Sequence, residues 1–199
     1  MPLASAGEEP LVCYAGNLDG YQNLDVLLQS FARVRAAEPA ARLVLLTHAD
    51  AAGHAAALAA RGLGAGVEIV AARSYDEVRA RLAEAAVAVS PRRERSGFPM
   101  KLLNYMAAGK AIVAAAGSAK GLEDGVTGRV VPDDDVTAFA DAIVELLRDP
   151  GQRARLGSAA RRVIEDPSAW ESVLDHIEAI YHNVVAGTPR VLAPLPVTE

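Results

Sequence analysis

Cysteine is almost missing from this chain: Cys13 is the single one among 199 residues. An internal disulfide is thereby excluded, and because Cys13 sits inside the apolar run Leu11–Ala15, a zinc site built on it is not expected. An excess of basic charge is also lacking. The formal net charge is −5, and the run Arg92, Arg93 and Arg95 is too short to form the clustered basic surface that general nucleic-acid binding requires. No uninterrupted apolar run is long enough to span a bilayer, and Met1–Glu9 has neither the charged start nor the apolar centre of a secretory signal. Catalytic signatures are missing too: there is no Ser-His-Asp order, no metal-ligand spacing and no nucleotide-binding P-loop. The histidines, His48, His54, His176 and His182, share no pattern with carboxylates; only His48, near a strand end, is well placed for a cleft, and it reads first as a simple polar loop residue. The expectation is a soluble, cytoplasmic protein in a reducing compartment, with a small, locally anionic partner, no nucleic acid and no bound metal.

What is present is enough apolar material for a core. With 51% hydrophobic residues in a chain of this length, one domain is expected, burying roughly 70% of the unfolded surface. Short apolar runs at Leu11–Ala15, Leu43–Thr47, Val67–Val70, Ala86–Ser90 and Ala111–Ala115 alternate with longer helical patterns. Such alternation predicts an α/β fold, a doubly wound parallel sheet of about six strands followed by C-terminal helices. Ser74 with Glu77 makes a capping-box pattern, Asp135 is placed to cap a helix over 136–148, and Ser168 with Glu171 repeats the box. Pro150 and Pro167 separate the last three helices. Alanine-rich 49–60 is read as helix, because Ala is the best helix former. In the last helix Trp170, Val173, Leu174, Ile177, Ile180, Tyr181 and Val184 share one face, which reads first as core packing and otherwise as a face left partly without cover, a solubility liability or a dimerisation surface. The domain is placed at 10–185, between a flexible leader at 1–9 and a proline-rich disordered tail at 186–199.

Two loops carry the candidate site. Residues 90–113 read as strand end, basic Gly-Phe-Pro loop, amphipathic helix, glycine stop and next strand. A helix opening just past the carboxyl end of a parallel strand presents unpaired N–H groups and a positive dipole end, so phosphate is the expected guest. Within it, Gly97, Phe98, Pro99, Met100 and Lys101 form the helix start, with Pro99 at the first turn and the amides of Met100 and Lys101 as phosphate donors. The bland alternative is a capped helix without a ligand, with Phe98 as a core plug. The other loop, Gly16 to Asn23, joins the first strand to the first helix, where glycines permit close backbone approach to a diphosphate. Arg92, Arg93, Arg95, Lys101 and Lys120 all fall at strand carboxyl ends, where they either converge on one phosphate or form a solvated charge cluster.

These residues resemble the group 1 (family 4, GT-B fold) glycosyltransferases, which carry an acidic residue, Gly-Phe-Gly or Gly-Phe-Pro, and a second acidic residue eight positions after the first. Here those two positions hold Ser96 and Asn104. The resemblance continues in order through Gly16-Asn17-Leu18, Ala107 to Val113, Glu123 to Gly128 with Val131-Pro132, and Ser168 to Glu171. It covers the family's carboxyl half, a single Rossmann-like domain. It implies a nucleotide-diphosphate sugar as substrate, retaining transfer in cell-surface glycan biosynthesis, no cofactor, and an acceptor-binding amino-terminal domain supplied in cis or as a separate chain. Peripheral membrane association of the full enzyme is left open. By motif register Asn17 and Gln22 stand where the family has an arginine and a lysine on the diphosphate, so both cations are expected to be replaced from elsewhere. The family's acidic residues contact sugar hydroxyls and the nucleotide ribose. Asn104 retains an acceptor and a donor for the ribose, whereas Ser96 is short, and Glu94 is a candidate replacement for its acid. Base contacts are expected near Arg73 and Ser74. A second reading follows from the four replacements: a degenerate domain kept as a binding or assembly module.

Overall fold

The computed structural model describes residues 10–48, 51–60, 66–93 and 99–166, together with helical positions between 174 and 185. The expected leader (1–9) and tail (186–199), the second capping box at Ser168, and Glu94 to Phe98 of the basic loop lie outside the described residues. Strands β1 (Leu11–Ala15), β2 (Arg42–Thr47), β3 (Val67–Ala71), β4 (Val87–Ser90), β5 (Ala111–Ala115) and β6 (Arg129–Val131) form one sheet in the order β3-β2-β1-β4-β5-β6. Every pairing is parallel. This is the doubly wound order, and its reversal between β1 and β4 opens a crevice at the carboxyl ends of those two strands.

The central strands are near-continuous apolar runs because both faces are covered. Alternate residues point to opposite layers. Val12, Tyr14, Leu43, Leu45, Val87, Val89 and Val113 pack with α1 (Leu24–Ala37) and α5 (Val136–Arg148) through Leu27, Phe31, Phe139 and Ile143. Cys13, Val44, Leu46, Ala88, Ile112 and Ala114 pack on the other side, with Leu82 of α3 (Tyr75–Glu84), Tyr105 of α4 (Met100–Ala107) and Ala160 of α6 (Pro150–Glu165). Cys13 is fully buried there, and burial pushes its thiol up to about 12, so it is an inert core residue. A further helix, α2 (Ala51–Ala60), links β2 to β3.

The expected caps form. Ser74 Oγ accepts from Glu77 N at 3.2 Å, and the Glu77 carboxylate reaches back to Arg73 N at 2.7 Å. Asp135 accepts from Thr137 N at 3.0 Å and Ala138 N at 2.9 Å, satisfying two orphan amides of α5 at once. Asp135→Ala is therefore expected to lower stability by about 1 kcal/mol, read as a lower urea midpoint at unchanged slope. Pro150 opens α6 at its first position, with Asp149 Oδ1 accepting from Gln152 N at 2.8 Å.

One expectation about packing is corrected. Of the apolar face predicted for the last helix, Leu174, Ile177 and Tyr181 are exposed, not core, and Trp170, Val173, Ile180 and Val184 lie outside the described residues.

Candidate functional site

The crevice between β1 and β4 holds a cleft of about 540 Å³, within the range of small-molecule sites. Its walls come from four places in the chain. The loop after β1 brings Gly16, Asn17 and Gln22, and the start of α3 brings Arg73 and Ser74. The segment after β4 brings Arg92, and the first turns of α4 bring Pro99, Met100, Lys101 and Asn104. Ser96, Gly97 and Phe98, the other positions singled out from sequence, lie outside the described residues.

Local sequence explains the shape of the first loop. Gly16 has φ +152°, a backbone that residues with side chains rarely adopt, and its amide donates to Leu46 O at 2.9 Å, extending the pairing with β2 by one bond. A Cβ there would stand 3.1 Å from both Lys101 Nζ and Tyr14 Oη, so the absence of a side chain leaves room for the amine. Gly20–Gln22 then forms one 3₁₀ turn, ended by Asn23 in the left-handed region at φ 57°. The Asn23 amide donates to Asp134 Oδ1 at 2.9 Å and Pro91 O at 3.3 Å, tying the loop after β1 to the segment after β4.

The centre of the cleft is a network around Lys101. Its Nζ donates to Gln22 Oε1 at 2.6 Å and Tyr14 Oη at 2.9 Å, and lies 4.2 Å from the centre of the Tyr14 ring. Tyr14 donates to Asn17 O at 2.6 Å, and Gln22 Nε2 donates to Asn17 Oδ1 at 3.1 Å. Asn17 Nδ2 in turn donates to Asp19 and to Tyr21 Oη. Arg92 stacks over the Tyr21 ring at 5.3 Å from its centre. Beneath the network Tyr105 Oη accepts from Ala15 N at 2.8 Å, holding the end of β1 against α4. Burial, with the nearby Arg92 charge adding to it, brings the Lys101 ammonium down to about 7. Burial raises the Tyr14 phenol well above its ordinary value, and Tyr21 and Asp19 add to the effect, so it serves as a neutral donor.

Not every expected cation converges. Arg92 and Lys101 line the cleft, joined by Arg73. Arg93 instead pairs with Asp134 at 3.4 Å, Lys120 is not part of the cleft wall, and Arg95 lies outside the described residues. The same cleft is lined by tyrosines that carry no signal in the motifs, Tyr21, Tyr75 and Tyr105, and by His48, the one histidine whose position suits the cleft, while buried Tyr14 lies against Lys101. Tyr14 carried a signal, being the next-to-last residue of an apolar strand whose carboxyl end faces the crevice. Among the described residues no three His, Cys, Asp or Glu side chains come together as a metal site.

A six-stranded parallel sheet with a cation-lined cleft at its switch point has the architecture of one Rossmann-like half of a GT-B protein. The chain belongs to the glycosyl transferases group 1 family, whose pattern matches residues 9–149. It is 26% identical over 188 residues to a GDP-mannose-dependent monoacylated α-(1-6)-phosphatidylinositol monomannoside mannosyltransferase of Corynebacterium glutamicum, covering 91% of this chain and 48% of that protein. Its fold is shared with sucrose-phosphate synthase of Thermosynechococcus elongatus, at a TM-score of 0.77 and 24% identity, over 91% of this chain and 47% of that one. The fold also matches HepE of Anabaena, solved with UDP-glucose, at a TM-score of 0.68 and 18% identity, over 78% of this chain and 44% of that one. The chain thus spans about half the length of the relatives it matches. Among the described residues no helix is long and apolar enough to cross a membrane.

Proposed function

We propose that the cleft is the donor site of a retaining glycosyltransferase, and that these 199 residues bind a nucleotide-diphosphate sugar but transfer no sugar without an acceptor-binding domain. The observation that carries this reading is the meeting of two partly buried cations, Lys101 and Arg92, with the start of α4 in one cleft at the switch point. In this reading the diphosphate lies against the first amides of α4 and between the two cations. Negative charge developing on the leaving diphosphate is then stabilised by preorganised amides and side-chain cations, with no metal required. Asn104, one turn into α4, offers a carbonyl acceptor and an amide donor to ribose hydroxyls. The start of α3, at Arg73 and Ser74, faces the base. Dependence of the Corynebacterium relative on GDP-mannose, and the UDP-glucose held by the Anabaena neighbour, support the ligand class. Transfer requires both reactants oriented across a cleft, which is why the donor half by itself is expected to be inactive.

A second reading, a binding or assembly module without donor chemistry, is favoured by one observation. Asn17 and Gln22 are neutral and spend their side chains on each other and on Lys101. Calorimetric titration of the chain with UDP, GDP, ADP and their sugar conjugates separates the two. Micromolar binding of one diphosphate and its conjugate is expected, without sugar transfer to any acceptor. No heat with any of them contradicts the donor-site reading and leaves the module. Turnover by the 199 residues alone contradicts the claim of inactivity.

A further inference from the structure

Lys101 carries a partly buried amine whose polar contacts, among the described residues, are two neutral oxygens, Gln22 Oε1 and Tyr14 Oη. The titratable and charged groups around it come from every neighbouring element. Tyr14 is on β1, Asp19 and Tyr21 are in the loop after β1, Arg92 follows β4, and Tyr105 is one turn along α4, with Arg73 and His48 elsewhere in the cleft wall. Asp19 is separated from the amine by the Asn17–Gln22 pair, since it accepts from Asn17 Nδ2 while Gln22 Oε1 accepts from Lys101. Among the described residues, the charged neighbour that bears on Lys101 is therefore of its own sign, Arg92. A partly buried cation set beside another cation and neutral acceptors has, among the described residues, no counter-ion of the kind that buried charges normally have.

We propose that the anion is that counter-ion and arrives with a proton: a diphosphate entering beside Tyr14 and Gln22 is bound together with one proton taken up from solvent by the Lys101 amine. The inference rests on the nucleotide-sugar reading above and adds a linkage to it. Without an anion beside it, burial and Arg92 disfavour the ammonium and bring its pKa down to about 7. A phosphate oxygen at the same place favours the ammonium and raises its proton affinity. The sign follows. Below about pH 7 the amine is already charged and binding takes up little; above it each bound ligand brings a proton, and affinity falls about tenfold per pH unit. Tyr14 and Gln22 act as positioning residues, aiming the amine at the point where Gly16 leaves space.

The test is calorimetric titration with GDP-mannose and with UDP-glucose at about pH 6 and about pH 8, in buffers of different ionisation enthalpy, which counts the protons exchanged. Both phosphates of these probes are esterified, so their own charge is constant across that range. For the wild type, close to one proton per ligand is expected at about pH 8 and close to none at about pH 6, with roughly tenfold weaker binding at the higher pH. Lys101→Arg should restore tight binding with no proton uptake and no pH dependence. Lys101→Met should bind weakly and equally at both. His48→Gln, removing the cleft's histidine, should leave the proton count unchanged. Binding by the wild type with equal affinity at both pH values and no proton uptake overturns the inference while leaving the donor-site reading intact. A proton count abolished by His48→Gln overturns it as well. No binding of either probe, nor of an ADP-sugar, at either pH removes both.

Discussion

Gly157→Ala is expected to destabilise the domain by about 3 kcal/mol, although alanine is the better helix former. Gly157 lies in α6 where that helix crosses the turn between α4 and β5. A Cβ built on it would sit 2.0 Å from Gly109 O and 2.8 Å from Gly109 C. Both obstacles are backbone atoms, so relief requires α6 to move away from α4, opening the layer that contains Leu102, Met106 and Ala160. Against that, the gain in helix propensity is only about 1 kcal/mol. Ser158→Ala, one residue on and exposed, is expected to be neutral or slightly stabilising. Chemical denaturation of the two variants checks the contrast. Equal midpoints for Gly157→Ala and wild type would mean that α6 does not approach the Gly109 carbonyl as described. Because α4 rests on α6 and carries Lys101, the Gly157 variant is also expected to lose donor affinity.

The second large effect is expected from removing the two cleft cations together. A hydrogen bond to a charged group contributes about 1.5–3 kcal/mol, so Lys101→Met with Arg92→Ala should weaken nucleotide-diphosphate binding by roughly a hundredfold to ten-thousandfold. The comparison that gives this meaning is Arg93→Ala, next in sequence. Arg93 is directed to Asp134 and does not line the cleft, so its loss is expected to change affinity less than about threefold. Titration of both variants with the diphosphate that the wild type binds reads the difference. Equal losses from the two would reduce the arginine run to a general field of positive charge.

Much of this architecture is readable before any coordinates. Strands β1 and β5 fall where their apolar runs do, and α5 occupies 136–148 behind its Asp135 cap. The boundaries that differ do so for local reasons. Strand β2 begins at exposed Arg42 because pairing with β1 is a property of the backbone and is indifferent to that side chain's polarity. Strand β4 begins at Val87, one residue into its apolar run. Strand β6 is only three residues long, at the sheet edge, too short for periodicity to register. The last helix shows the limit of pattern reading: apolar spacing identified a face, but Leu174, Ile177 and Tyr181 lie exposed, since spacing says which residues share a side and not what covers it.

The candidate site divides the same way. Loop identity was legible, because glycine and proline set backbone geometry locally, and positions from four segments meet in one cleft. Side-chain traffic was not. That Lys101 reaches Gln22 and Tyr14 depends on contacts spanning 79 and 87 residues of sequence, and no periodicity encodes such a meeting. Nor did the basic run announce that Arg92 would turn inward over Tyr21 while Arg93 turned outward to Asp134.

The measurement that tests the central claim most directly is amide hydrogen exchange of the chain with and without saturating GDP-mannose or UDP-glucose, whichever binds. A donor held at the switch point predicts slowed exchange confined to Gly16–Gln22, Arg73–Tyr75 and Met100–Asn104, with Ala83–Ala86 at the far end of the sheet unchanged. Protection concentrated at the far end, or none at the start of α4 despite binding, would contradict the placement of the donor in this cleft.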